Sequence, residues 1–357
     1  VLEIARGCTR GCRFCSAGIT YRPVRERKPE TIINLADQIL ESTGLDEISL
    51  SSLSTVDYSD IRNLVTTMAD RYKEDKISIA LPSLRIDDFS VELAHEVQKV
   101  RKSGLTLAPE AGTQRLRDVI NKGVDEKDLY QAVRAAFESG WSRIKLYFMI
   151  GLPTETRKDL AGIVEMADKV KQIGSEIRGK RVDVNVSIST FVPKPFTPFQ
   201  WVKMIDKQTI IEKQSYLRDN IRGKGLELNW DEPDISLIEG VLARGDRRLA
   251  EVLKTAWDKG ARFDGWDDQF DIDTWHEALT ENNLSLDQFL KSRDLDAKLP
   301  WSHINLGVDE EFLHREYQKA LQEEKTPDCR QKSCTGCNIC FNFETDMELV
   351  GADNNAN

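Results

Sequence analysis

No cysteine stands between Cys15 and Cys329, and that gap organises the reading of this 357-residue chain. Its seven cysteines, an odd number, form a cluster of three and a cluster of four, a partition that fits metal ligation better than disulfide pairing. Histidine is scarce: His95, His276, His303 and His314 show no metal-ligating spacing. Basic charge is not in excess, since 50 Lys and Arg face 60 Asp and Glu for a net charge of −10. That balance argues against non-specific nucleic-acid binding, which requires neutralising many backbone phosphates, although it leaves room for a local basic pocket. No apolar run approaches the roughly 18 to 20 residues that span a bilayer, and the longest, around 144–152, contains Lys145. The start, VLEIARGC, shows no initiator methionine and no leader, so a segment is expected to be missing upstream. Thiols kept for metal without a secretion signal point to a reducing compartment, the cytoplasm. Internal repeats and low-complexity tracts are absent. What is present, 40% apolar and 31% charged residues, describes a folded chain long enough for one large domain and a smaller one.

Residues 1–200 alternate β-rich apolar runs with amphipathic helical patterns, the signature of a parallel sheet covered by helices. Strands are expected at 2–5, 47–50, 77–81, 104–107, 143–149 and 182–189. The helix over 30–42 shows the logic: Pro29 suits a start, Ile32, Leu35, Ala36, Ile39 and Leu40 make one stripe, and Gly44 lies past the end. Six units are too few to close an eight-stranded barrel, so the expected fold is α/β, a partial (β/α)6 barrel with its site at the C-terminal ends of the strands. Pro193, Pro195 and Pro198 mark a boundary near residue 200. A mainly helical region follows over 201–324, in which Trp230, Trp257, Trp266, Trp275 and Trp301 are expected to supply packing area. A cysteine-rich segment occupies 325–342 and a polar tail 343–357, whose GADNNAN end reads as disordered.

Cys8, Cys12 and Cys15 form C-x3-C-x2-C directly after the first expected strand. Three thiolates can hold three irons of a [4Fe–4S] cube and leave the fourth iron open for a small molecule. Structural zinc is the alternative, but it prefers four ligands, commonly in separated pairs, and the histidine nearest in sequence is His95.

Here the sequence resembles the radical S-adenosylmethionine (SAM) superfamily. The resemblance implies that SAM chelates the open iron and is reductively cleaved to a 5′-deoxyadenosyl radical that abstracts hydrogen. The stretches RGCTRGCRFC, YRPVRER, ISLSSLSTVDY, LPSLRID, TLAPEAGTQRLRDVINKG, YFMIGLPTE, FVPKPFTPFQW and IEGVLARGDRR extend it over nearly the whole chain. They are similar to radical SAM proteins that carry an upstream cobalamin-binding-like domain and have barrels related to tRNA methylthiotransferases. This chain has no D-x-H-x-x-G motif, so cobalamin enters only through a missing upstream domain. The resemblance implies that Phe14 packs beside the adenine. It also implies that Ser51 and Ser52 stand in for a Gly-Gly-Glu stretch at the SAM amino group. Arg85 is a candidate fork for the SAM carboxylate, or a surface partner of Asp87 or Asp88. Glu110 is a candidate for the ribose hydroxyls, or a helix N-terminal acid. The resemblance also places Gly151 where backbone passes the adenine. Lys145 alternates along its strand with Tyr147 and Met149, and contacts SAM or substrate if that set faces the interior.

Cys329, Cys334, Cys337 and Cys340 pack four thiolates into twelve residues, which reads as a second, fully ligated [4Fe–4S] cluster or as a closed zinc site. The basic run from Tyr21 to Lys28 offers a docking place for an anionic substrate or a redox partner such as flavodoxin or ferredoxin, or is a solvated charge run. The functional reading is a radical SAM enzyme acting on an unidentified substrate by methylthiolation, methylation or another radical modification. Its rival is a non-enzymatic iron–sulfur or zinc protein serving electron transfer or assembly.

Overall fold

A computed structural model describes residues 1–81, 105–179, 182–331 and 334–351. The chain opens with β1 (Leu2–Glu3) and β2 (Ala5–Arg6), followed by a one-turn helix α1 (Ala17–Thr20), β3 (Arg25–Glu26) and α2 (Pro29–Thr43). Pro29 starts α2 because its fixed φ suits the first helical position. Gly44 ends the helix in the left-handed conformation, with φ 67° and its N–H returned to Leu40 O. The buried Ile32 and Ala36 press the helix on the core beneath β4 (Glu47–Ser51). Helix α3 (Ile61–Tyr72) and β5 (Ser78–Ala80) complete this half, and β1, β4 and β5 pair in parallel in that order.

The second half is built on longer strands. After β6 (Leu105–Glu110) come α4 (Gln114–Val119), α5 (Glu126–Glu138), β7 (Arg143–Ile150), α6 (Arg157–Arg178) and β8 (Asp183–Thr190). The molecule is thus mixed α/β with parallel strands, and β1, β4, β5, β6, β7 and β8 stand at the six expected places. Helix α7 (Lys207–Asn220) leads to a further strand, β9 (Leu226–Trp230), so the sheet order is β6-β7-β8-β9, all parallel. Sequence alternation did not expose β9. Its five residues are half-buried or exposed, and an edge strand covered so thinly carries little apolar period.

Burial alternates strictly along β7 and β8. Ile144, Leu146, Phe148 and Ile150, with Val184, Val186 and Ile188, are fully or almost fully buried in the main core, which also takes in Ile163, Met166 and Val170 of α6. The other face is half-buried and mostly polar, with Lys145 opposite Asn185, Tyr147 opposite Ser187 and the apolar Met149 opposite Ser189.

Helices α8 (Pro233–Arg244), α9 (Leu249–Asp258), α10 (Ile272–Glu281), α11 (Leu286–Leu290), α12 (Glu310–Leu321) and α13 (Ile339–Asn342) make up the remainder. Arg244 is fully buried and donates to the carbonyls of Gln200, Val202, Phe289 and Lys291, so one guanidinium stitches the proline-rich boundary to the end of α11. Burial, with Arg293 nearby, draws its pKa down to about 10. The tryptophans divide. Trp275 and Trp301 are buried and Trp230 is half-buried, but Trp257 and Trp266 are 57% and 63% exposed, contrary to the packing role expected for them. Trp257 instead carries the Arg262 guanidinium over its ring.

Candidate metal centre and cofactor site

Pairing of β2 with β3, Ala5 opposite Glu26 and Arg6 opposite Arg25, closes residues 7–24 into one long loop. Gly7 enters it at φ 91°, where a Cβ would overlap the carbonyl oxygens of Pro23 and Tyr21, so only glycine fits the crossing. Cys8, Cys12 and Cys15 on this loop are half-buried and in no disulfide. Cys15 N donates to Cys12 O at 3.2 Å, and Arg13 N donates to Ile120 O at 3.0 Å, which ties the loop to the end of α4. Burial, followed by the adjacent Cys12, pushes the Cys15 thiol up, while the Lys122 charge pulls the other way. A bound metal would have to displace that proton. Phe14 packs on a cluster that includes Ala111, Leu152 and Phe191, residues just past the C-terminal ends of β6, β7 and β8.

The residues between the cysteines are anchors. Thr9 Oγ1 donates to Asp328 Oδ1 at 2.6 Å. Arg10 grips Asp57 with two hydrogen bonds, the Nε one at 2.9 Å. Arg330 reaches the same Asp57 at 3.3 Å and Asp328 at 3.0 Å, and Arg10 lies 3.5 Å from Asp328. The four charges form a closed ring of alternating sign, none more than 13% exposed. Burial alone would raise Asp57, but the hydrogen bond and charge of Arg10 outweigh it and hold the carboxyl well below its ordinary range. Arg13 is fully buried against Glu316 at 3.1 Å and also donates to the carbonyls of Asp118, Val119 and Glu324. Burial draws the Arg13 guanidinium down, and Glu316 opposes it. Asn121 completes the join, donating to Arg10 O, Gly11 O and Thr326 O while accepting from Thr326 N. These anchors escaped the sequence reading, because the partners lie between 47 and 319 residues apart.

The other candidate residues divide by place. Ser51 ends β4, where its carbonyl accepts from Ile4 N, and the Ser52 hydroxyl is shared with Thr55 Oγ1 at 3.0 Å. Glu110 closes β6 at φ 68°, a left-handed conformation that few side chains adopt. It pairs with Lys122 Nζ at 3.0 Å, and helix α4 begins only at Gln114 behind the Thr113 cap, so Glu110 is not an N-terminal helix acid. Lys122 thus joins the site by its action on both Glu110 and Cys15, although it lies unmarked within the LRDVINKG stretch. Lys145 lies on the half-buried polar face, with its ammonium 5.3 Å from the Tyr147 ring. The same face carries Ser189 Oγ donating to Tyr147 Oη at 3.1 Å and Asn229 donating to Asn185 at 2.7 Å. Gly151 has φ 82°, and a Cβ there would collide with the side chain of Ile205. Arg85 and His95 lie outside the described residues.

Of the second cysteine set, Cys334 is exposed, Cys337 is buried, and Cys329 and Cys340 are half-buried. The set is mutually close enough to interact. Burial raises Cys329, with Cys337 and Cys334 adding to it, and burial raises Cys340, again with Cys337 and Cys334. Among the described residues no three His, Cys, Asp or Glu side chains converge on a single ion position. The basic run is not one solvated patch. Arg22 is 7% exposed, and Glu26 is buried and accepts from Ser59 N and Val350 N, while Arg27 is exposed near Glu3 at 3.8 Å. Glu348 bridges to Arg25, so residues 348–350 of the polar tail are tied beside β3, and residues 352–357 lie outside the described residues.

Residues 2–167 match the family model of the radical SAM superfamily. An uncharacterised protein of Methanocaldococcus jannaschii is 34% identical over 253 residues, 71% of this chain and 53% of that protein. The anaerobic magnesium-protoporphyrin IX monomethyl ester cyclase of Cereibacter sphaeroides is 26% identical over 60% of this chain and 33% of its own length. A ribosomal protein uS12 methylthiotransferase of Thermosipho melanesiensis is 21% identical over 67% and 58%, respectively. The chain spans between a third and three fifths of the length of these curated relatives. No helix among the described residues is long and apolar enough to cross a membrane.

Proposed function

We propose, from the match of residues 2–167 to the radical SAM superfamily model, that the chain uses Cys8, Cys12 and Cys15 to hold a [4Fe–4S] cluster for radical chemistry on a substrate still to be identified. The observation that carries this reading is three cysteines outside any disulfide on one anchored loop at the C-terminal ends of the strands. The donor set fits the group: three soft thiolates suit iron–sulfur ligation, and three rather than four leave one iron open. When bound, the cluster and SAM supply one-electron cleavage of the S–C5′ bond and a carbon radical that abstracts hydrogen.

This chain's own residues would bind, orient and shield. Phe14 flanks the loop against the strand ends and offers an apolar face to the adenine. Glu110, held by Lys122, presents a carboxylate to ribose hydroxyls, and the carbonyls and hydroxyls of Ser51 and Ser52 serve the SAM amino group. Lys145 and its polar neighbours on β7 and β8 line the side on which a substrate would lie. A low-potential electron donor such as a flavodoxin or ferredoxin completes the stoichiometry, and Cys329, Cys334, Cys337 and Cys340 hold a second metal centre.

Anaerobic reconstitution with iron and sulfide, followed by EPR with and without SAM and an assay for 5′-deoxyadenosine under dithionite, tests the reading. The expected result is a SAM-perturbed signal and deoxyadenosine formation. A folded, cluster-loaded protein whose spectrum ignores SAM would instead support an electron-transfer or assembly protein.

A further inference from the structure

A cavity of about 260 Å³ opens where the proline-rich boundary meets the loop before α12, and no cysteine lines it. Gln200, only 3% exposed, is set in its wall beside Phe196 and Trp301. The amide of Gln200 can point only one way. Phe196 N donates to Gln200 Oε1 at 2.9 Å, and Trp301 Nε1 donates to the same oxygen at 2.8 Å. A backbone N–H and an indole N–H are donors only, so the atom that meets both must be the amide oxygen. That leaves Nε2, without a partner among the described residues, to be satisfied from the cavity.

The aromatic walls are held in place. Phe196 has φ 59°, a left-handed backbone that bulky residues rarely adopt, and its bond to Gln200 and that of Thr197 Oγ1 to Lys194 O at 2.8 Å fix the turn. Residues kept in such conformations collect at ligand clamps. Trp301 is 7% exposed, pinned by the same amide and by the Arg293 guanidinium 5.0 Å from its ring centre. Asn305 and Glu310 are the exposed polar residues of the lining, and Glu310 has no ion pair among the described residues. No lysine or arginine lines the cavity, so an anionic group finds no partner there. Its volume is just under the roughly 300–1,000 Å³ of sites for drug-sized ligands, which suits a single ring system.

We propose that this cavity binds a neutral, flat nitrogen heterocycle of nucleobase size, packed against Trp301 and Phe196 with an acceptor atom of the ring on Gln200 Nε2 and its donor edge toward Glu310. The inference stands independently of the metal reading. It nevertheless places the ligand near both cysteine segments, because Leu299, Trp301 and Leu313 of the lining belong to the small core that contains Ile19 of α1 and Cys337. A base is the chemistry shared by a free nucleoside and an unpaired RNA residue.

The test titrates the full chain with adenosine, guanosine, cytidine and uridine, and with indole as a flat ring that donates but does not accept, each followed by saturation-transfer NMR. At least one nucleoside is expected to bind roughly ten-fold or more tightly than indole, since indole leaves the buried amide donor unmet. Gln200→Glu keeps an oxygen for Phe196 N and Trp301 Nε1 but turns the second position from donor to acceptor, so indole should gain and the nucleoside should lose. Phe196→Gly suits the φ of 59° and removes one aromatic wall, so it should weaken the nucleoside without asking the core to hold a carboxylate. A short oligonucleotide of the preferred base, bound no more tightly than the nucleoside, identifies a free ligand as the source, and tighter binding identifies RNA. The proposal is overturned if no nucleoside binds, if indole binds the parent as well as the best nucleoside does, or if nucleoside affinity is unchanged in both variants, which would put the binding elsewhere on the chain.

Discussion

The two cysteine segments lie against each other yet are fixed in opposite ways. Within the N-terminal loop the spacers are tethered: Thr9, Arg10 and Arg13 each end on a buried partner, and at Gly7 a side chain would overlap the carbonyls of Pro23 and Tyr21. The C-terminal segment is held by Asp328 and Arg330 near its start and, farther in, by Gly336 O and Cys337 O, which accept from Arg315 and Asp309 N, and by Asn338 and Asn342 against Asp309. Inside it, Cys334 is exposed and Thr335 Oγ1 has no partner among the described residues. The first loop is thus tied mainly through its spacer side chains, whereas the second is tied through the Gly336 and Cys337 carbonyls and two asparagines.

That contrast can be broken from its strong side first. Cys12→Ala should abolish deoxyadenosine formation while leaving metal at the C-terminal centre, as read by product assay and metal analysis on the same sample. Cys334→Ser should do the reverse, removing the second centre's metal while the SAM-perturbed EPR signal persists. If both signals vanish in either variant, the two segments are one centre. Arg13→Met breaks the buried pair with Glu316 and should cost about 3–5 kcal/mol in denaturant unfolding. A cost under about 1 kcal/mol, the worth of a surface ion pair, would mean that the loop is held by something else.

The smallest effect is a pH dependence. Arg10 holds Asp57 below the unfolded carboxyl value of about 3.9, so its contribution is complete above that value and is lost as pH falls through the folded pKa. Asp57→Asn should therefore melt below the parent by a constant margin, on the order of 1.5–3 kcal/mol for charged hydrogen bonds, from pH 8 to 5. The margin should begin to narrow below about pH 4 and close only under strongly acid conditions, and a margin that does not narrow at all between about pH 5 and pH 2 would remove the carboxylate charge from the account.

Much of this molecule was legible locally. The six strands follow from short apolar runs, α2 from Pro29, its stripe and Gly44, and the cysteine loop from spacing alone. The alternation over 143–150 announced two faces but not which one packs on helices, because period fixes relative orientation and only packing fixes the side. Tertiary electrostatics was illegible. Arg22 sits in YRPVRER, a run that reads as surface charge, and Arg13 sits between two cysteines, with nothing in either stretch of sequence to mark a buried cation. Their surroundings come from residues far along the chain, and a single sequence records no such pairing.

The pairing of Arg13 with Glu316 spans 303 positions. At synthesis rates of about 5–20 residues per second, the ribosome reaches Glu316 roughly 15 to 60 seconds after the loop that needs it, and Thr326 and Asp328 later still. Until then the cysteine loop has its strands beneath it but neither its buried acid nor its ring of charges. The order of manufacture thus sets an order of loading: a cluster inserted into the nascent chain would meet a loop without its lid, and one inserted after release would meet the finished socket.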